Sequence, residues 1–133
     1  MPVRQQKESL SSVKVRFVNA PKIIEELKAI SREIVEKDRN VIGIYLFGSL
    51  VKNSYSPASD ADILVLLKND SRRFIDRIPH YAKLFLDISL PIEVFPYTEE
   101  EIKKMLSEEN HFIKSIWKEK IILSEKKDTS TPP

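Results

Sequence analysis

Two aspartates separated by one alanine precede an apolar segment near the middle of the chain. The stretch GSLVKNSYSPASDAD spans residues 48–62 and places Asp60 and Asp62 next to the run ILVLL. Alternate residues of an extended strand share a face, so the two α-carbons would lie roughly 7 Å apart on one side. Carboxylate oxygens suit Mg²⁺, with Mn²⁺ as the alternative. The pair therefore predicts a site for a divalent cation.

A glycine and a serine end the preceding apolar run and indicate a second part of the same site. Gly48 would let the backbone turn sharply after Phe47 and approach a ligand closely. Ser49 would cap a short helix, whose free N–H groups and dipole attract phosphate. Lys52 would add a positive charge one turn later. A phosphate-binding turn opposite a carboxylate pair predicts a metal–triphosphate ligand.

A third acid lies in the apolar segment PIEVFPY, residues 91–97. An acid within such a strand costs free energy unless it meets a partner. If this strand lies beside the one that carries Asp60 and Asp62, Glu93 reaches the same cation. Three carboxylates would then surround two ions about 3.5–4 Å apart, an arrangement suited to in-line displacement at phosphorus.

Each of these residues also has a purely structural interpretation. Gly48 and Ser49 can form an ordinary turn followed by a solvated loop. Glu93 can pair with a nearby lysine or arginine, and Lys52 can be a surface charge. A metal-dependent nuclease or phosphatase is a further alternative, because a carboxylate cluster permits that chemistry without requiring the glycine–serine turn.

Apolar segments predict the strands that position the site. VIGIYLF (41–47) and ADILVLL (61–67) are continuously apolar, which is typical of strands covered on both faces. PIEVFPY is the third predicted strand. Two shorter segments complete the set: VKVRFV (13–18) as an edge strand and KIILS (120–124) as a terminal strand or extended arm.

Helical periodicity and capping signals predict the helices. Asn19 and Pro21 mark the start of the first one, which should end near residues 39–40. Thr98 with Glu101 three residues later forms a capping box for another. The remaining predictions are a helix over 69–88 interrupted by Pro79, a helix over 111–120 that packs Phe112 and Trp117 onto the core, and solvated helix surfaces at RRFIDR (72–77) and EEEIKK (99–104).

Length and order of elements predict one α/β (α+β) domain. A chain of 133 residues supports a single hydrophobic core. We expect a small mixed β-sheet with helices packed mainly on one face. The predicted organisation is a polar segment with a possible edge strand at 1–19, the folded domain at 20–123 and a disordered tail at 124–133.

Composition restricts the partners. The net charge of +2 gives no strong overall field for nucleic acid, and direct nucleic-acid binding is left open. Cysteine is absent, which excludes disulfides and thiolate metal sites. No apolar run approaches the roughly 20 residues needed to cross a bilayer, so we expect no membrane association and a cytoplasmic location.

The pattern of Gly48–Ser49, Asp60, Asp62 and a later strand acid resembles the signature of the DNA polymerase β-like nucleotidyltransferase superfamily. The similarity is greatest to the minimal nucleotidyltransferases, one-domain proteins often encoded beside a partner with a HEPN domain. The resemblance implies a polymerase β palm-like fold over residues 20–123. Three positions depart from the usual pattern: Lys52 and Asn53 replace an Arg-Gly pair, and Glu93 replaces aspartate.

The resemblance also implies roles for the residues. Gly48 and Ser49, with Lys52, would contact the phosphates; Asp60 and Asp62 would bind both Mg²⁺ ions, and Glu93 would complete one metal site. The implied reaction transfers a nucleoside monophosphate, most readily AMP from ATP, to a hydroxyl of a protein or other macromolecule. The implied partner is a helical HEPN-domain protein, as in toxin–antitoxin pairs, or a second copy of the chain.

A binding module is the alternative to this enzyme. The same fold would neutralise or scaffold a partner protein with weak catalysis or none. The departures at Lys52, Asn53 and Glu93 favour that interpretation, because they alter the phosphate contacts and the metal ligands.

Overall fold

Four strands form one mixed sheet in a computed structural model that describes residues 19–52 and 60–127. The strand order is β3–β2–β1–β4. Strand β1 runs antiparallel to β2 and to β4, whereas β2 and β3 are parallel. The predicted mixed sheet is therefore confirmed. The strand bounds are β1 Val41–Phe47, β2 Ala61–Leu67, β3 Ile92–Thr98 and β4 Ile121–Glu125.

Four longer helices and one single-turn helix accompany the described strands. The longest, α1, begins after Asn19, whose Oδ1 accepts a hydrogen bond from the Lys22 N–H at 3.0 Å. Within the described ranges, no helix has the length and apolar character needed to span a bilayer. The helix bounds are α1 Ala20–Lys37, α2 Ser49–Lys52, α3 Phe74–Ala82 with a following 3₁₀ turn Lys83–Phe85, α4 Glu99–Ser107 and α5 His111–Glu119.

The helices cover both faces of the sheet, and the prediction of packing mainly on one face is wrong. Every residue of β1 is buried, which requires cover on both sides of that strand. On one face α1 and α3 enclose a core that includes Leu27, Ile44 and Ile63. On the other, α4 and α5 enclose a second core that includes Tyr45 and Leu64.

Helix α3 is shorter than the predicted segment 69–88. Asp70 accepts a hydrogen bond from the Arg72 backbone N–H at 2.9 Å, a local turn that competes with helix before Phe74. Pro79 lies inside α3, and a 3₁₀ turn follows the helix at Lys83. The predicted interruption therefore lies within one short helix that ends three residues after the proline.

The predicted ends of the chain are only partly within the described residues. The terminal strand is confirmed, and β4 continues through Ser124 and Glu125, so these two residues of the predicted tail belong to the sheet. Helix α1 ends at Lys37, two to three residues earlier than expected. The edge strand predicted at 13–18, the turn-rich segment 53–59 and residues 128–133 lie outside the described residues.

Candidate active site

The register of three strands places Asp62 and Glu93 side by side. Asp62 of β2 pairs with Phe47 of β1 on one side and with Glu93 of β3 on the other. Paired residues on adjacent strands share a face, so these three side chains form one row across the sheet. Leu64 and Leu66 continue the Asp62 face into the core beneath α4 and α5. The two acids predicted to share a site are therefore neighbours.

Gly48 brings the chain close to Asp62 directly after β1. Its φ is +87°, a backbone conformation that glycine adopts without strain. A Cβ at this position would overlap Oδ2 of Asp62 and lie 3.2 Å from its Cγ. The Gly48 carbonyl accepts a hydrogen bond from the Val51 N–H at 3.1 Å, which closes the turn that leads into α2. The predicted sharp turn at Gly48 is thus present, and it lies against a site carboxylate.

The electrostatics of Asp62 reflect the two other predicted acids. The pKa of Asp62 is raised from 3.8 to about 6, first by burial and then by the negative charges of Glu93 and Asp60. A hydrogen bond with Glu93 adds to the effect. Asp60 lies directly before β2 and is exposed, as is Glu93. Burial and repulsion both disfavour the ionised form of Asp62.

The acids suit a hard divalent cation by donor type. Carboxylate oxygens are the protein ligands that Mg²⁺ and Mn²⁺ prefer, and a cation would relieve the repulsion that raises the pKa of Asp62. In the described part of the chain, no three acidic or histidine side chains already surround a point as ligands of one ion do. Asp62 and Glu93 instead interact with each other.

The two other predicted phosphate-binding residues follow Gly48 along the chain. Ser49 is the first and Lys52 the last residue of α2. Their side chains lie outside the described part of the structure. A short helix follows Gly48 as predicted, but it begins at Ser49 itself and not after it.

Three phenylalanines border the acids, and the sequence alone did not predict that they form a group. Phe47, Phe95 and Phe112 form an aromatic triad with ring centroids 5.2, 5.9 and 5.8 Å apart. Phe47 lies in the same row as the two acids, and Phe95 follows Glu93 on the same face of β3. The alternation of residues along β3 already indicated that Phe95 shares a face with Glu93. The contact of Phe112 with these residues depends on the tertiary fold and could not be predicted from the sequence.

The chain belongs to the nucleotidyltransferase domain family, since the model of that family matches residues 24–128. This span contains the row of Phe47, Asp62 and Glu93, as well as the Gly48 turn. No curated protein matches the chain.

Solved structures of other proteins share the fold. A candidate nucleotidyltransferase from Sulfolobus solfataricus has a TM-score of 0.58 and 19% identity, covering 89% of this chain and 90% of that chain. A toxin–antitoxin structure with AMP-PNP has a TM-score of 0.52 and 19% identity, covering 83% of this chain and 76% of that chain. At these identities the likeness shows a common fold.

Proposed function

We propose that the protein is a Mg²⁺-dependent nucleotidyltransferase that transfers a nucleoside monophosphate to a hydroxyl of a protein or other macromolecule. The observation that carries the proposal is the adjacency of Gly48, Asp62 and Glu93 at one end of the sheet, within a domain of the nucleotidyltransferase family. ATP is the favoured donor, with AMP as the group transferred. Mn²⁺ is the alternative cation, and we propose a cytoplasmic location.

Asp60, Asp62 and Glu93 would hold the cation, which neutralises charge on the triphosphate when bound. Gly48 gives the backbone close access to the phosphates, and Ser49 and Lys52 would contact them. In the reaction the acceptor oxygen bonds to the α-phosphorus, and the bond from that phosphorus to its bridging oxygen breaks. Pyrophosphate leaves with the bond electrons, while Glu93 orients the acceptor hydroxyl or accepts its proton.

A partner protein is part of the proposal. The described residues, 19–52 and 60–127, form one sheet and its covering helices, so acceptor recognition would come largely from the acceptor or from a second subunit. The structural neighbour described as a toxin–antitoxin with AMP-PNP supports both a nucleotide and a protein partner for this chain. We propose a helical HEPN-domain protein as that partner, with a homodimer as the alternative.

Calorimetric titration tests the nucleotide site. Each of the four ribonucleoside triphosphates is titrated with Mg²⁺ into the wild-type protein, Asp62→Asn and the control Asp87→Asn, which changes an exposed aspartate. We expect ATP to bind the wild type and the control equally and Asp62→Asn more than 10-fold less tightly, because the variant loses a charged ligand. Absence of nucleotide binding with either Mg²⁺ or Mn²⁺ would contradict the proposal.

Catalysis needs a second measurement, because a binding module is the competing function. The departures from the family's usual pattern at Lys52, Asn53 and Glu93 favour that alternative. Incubation with α-labelled ATP and a protein encoded beside this chain should label the partner and release pyrophosphate. Nucleotide binding without pyrophosphate release would favour the binding module, and release of inorganic phosphate would favour a phosphatase.

A further inference from the structure

Phe112 presents a partly exposed aromatic ring beside the candidate active site. It lies in the first turn of α5 and keeps 45% of its surface exposed. The ring meets Phe47 nearly edge-on at 81° and Phe95 at 53°. Phe47 is itself buried, with 7% of its surface exposed. Two inner rings therefore hold an outer ring in a defined position.

The aromatic triad lies on the face of the sheet that carries the acids. Phe47 is one strand from Asp62 and two strands from Glu93 in the same row. With strands about 4.8 Å apart, the α-carbons of Phe47 and Glu93 are separated by roughly 10 Å. The Phe112 ring contacts this row at the ring of Phe47. A ligand held by the acids would therefore lie over the same face of the sheet as the exposed ring.

We propose that the Phe112 ring stacks on the base of the bound nucleoside triphosphate. This inference rests on the proposed function and names how that site would recognise the nucleoside. A flat aromatic surface fixed by neighbouring rings can stack on a base without first being ordered, which favours binding. Stacking accepts every base but gains from the larger overlap of a purine, so the donor class is a purine nucleoside triphosphate.

Two ligands separate base recognition from phosphate recognition. ATP and inorganic tripolyphosphate, each with Mg²⁺, are titrated into the wild type, Phe112→Ala, Phe112→Leu and Phe112→Trp. Tripolyphosphate has no base, so its affinity depends on the phosphate and metal site alone. The control is Leu86→Ala, which removes an apolar side chain with 78% of its surface exposed, in a segment that contributes to the opposite core.

We expect Phe112→Ala to weaken ATP binding by about 5- to 100-fold, the usual effect of removing one stacked ring. Tripolyphosphate affinity should stay within 2-fold of wild type, because this ligand has no base that could stack on the ring. Phe112→Leu keeps an apolar contact with Phe47 and Phe95 but offers no flat ring, so it should lose ATP affinity as well. Phe112→Trp should restore it, and Leu86→Ala should bind both ligands as the wild type does.

Three results would overturn the inference while leaving the proposed function in place. They are unchanged ATP affinity in Phe112→Ala, wild-type ATP affinity in Phe112→Leu, and an equal loss for both ligands. The last result would show that Phe112 acts by supporting the acids or by contacting a partner. A wild-type protein that binds neither ligand would overturn the proposed function and this inference together.

Discussion

Gly48 and Asp62 constrain each other at the site. The backbone at Gly48 has a positive φ, and the carboxylate of Asp62 occupies the space that a Cβ would fill. Asp62 in turn is half-buried beside Glu93, where its ionised form is disfavoured. Neither the positive φ at Gly48 nor the burial of Asp62 beside another acid stabilises the fold. Conflicts of this kind are expected where residues are selected for binding or catalysis.

Replacing Gly48 by alanine should lower stability for two separable reasons. The positive φ costs an alanine about 1 kcal/mol, and the overlap with Asp62 adds to that cost. In an Asp62→Ala background the overlap disappears, so the same substitution should cost only the backbone part. Urea unfolding of the four proteins, followed through the fluorescence of the single tryptophan, measures the coupling. Equal costs in both backgrounds would contradict the proposed contact.

At the scale of elements, a buried arginine joins α3 to β3 and α4. Arg77 has only 3% of its surface exposed. Its guanidinium donates to both carboxylate oxygens of Glu101 at 2.8 and 3.0 Å and to the carbonyl oxygen of Pro96 at 3.0 Å. Further bonds reach the carbonyl oxygens of Asp70 and Arg72. These contacts fix the end of β3, the strand that carries Glu93.

Arg77→Met should therefore destabilise the protein by about 3–5 kcal/mol, because it leaves the partners of a buried charge unsatisfied. The matched control is Arg73→Met, four residues earlier in the chain. The Arg73 side chain is 80% exposed and pairs with Asp76 at 2.8 Å, so its loss should cost less than about 1 kcal/mol. Arg77→Lys should fall between them, since lysine keeps the charge but not the two-pronged geometry.

Chemical denaturation provides the free energies of unfolding for all three variants. Similar losses for Arg73→Met and Arg77→Met would show that the buried network contributes no more than a surface pair. A large loss for Arg77→Met alone would confirm that α3 and α4 are held to β3 through this residue.

The same network shows where sequence reasoning succeeded and where it failed. The capping box of Thr98 and Glu101 was predicted from spacing and is present, because both partners lie within one turn of chain. The prediction of solvated surface was wrong for Arg77 and Glu101. The two residues are 24 positions apart in the chain and lie on different helices, and local charge patterns contain no information about such a pairing.

The candidate site shows the same division. Spacing alone placed Asp62 in a buried strand and the turn at Gly48, since both depend on local backbone geometry. The sequence predicted that Glu93 would reach the Asp62 site only if their two strands were neighbours. The parallel pairing of β2 with β3 meets that condition. Phe112 was expected to pack inward, and only the tertiary fold shows its exposed ring beside Phe47.

The whole molecule combines acids whose pKa values are shifted in opposite directions. Asp70 lies between Arg72 and Arg77 with a side chain only 7% exposed, and the hydrogen bond from Arg72 is the main reason that its pKa falls to about 2. The pKa of Glu101 is also lowered, chiefly by Arg77. Asp62, which faces Glu93 and Asp60, has a pKa of about 6. A change in pH therefore alters the stability of the fold in opposite directions through Asp70 and through Asp62.

The sign of each contribution follows from proton binding in the two states. Between pH 2 and 3.8 the unfolded chain binds more protons than the folded one at Asp70, so stability rises with pH. Between pH 3.8 and 6 the folded chain binds more protons at Asp62, so stability falls with pH. In the metal-free protein the combined contribution of Asp70 and Asp62 to stability is therefore largest near pH 4.

Unfolding free energies measured from pH 3 to pH 8 in the presence of a chelator test this profile. Asp62→Asn should become more stable than the wild type as pH rises from 4 to 6, by about 1 kcal/mol once solvent screening of a half-exposed group is allowed for. Asp70→Asn should be less stable than the wild type at neutral pH, with the difference shrinking as pH falls toward 3. Because each comparison is a difference between two proteins, titration of acids that do not interact with the changed residue cancels. A constant difference for Asp62→Asn across this range would show that the pKa of Asp62 in the folded protein equals its unfolded value, so that neither burial nor the neighbouring acids disfavour its ionised form.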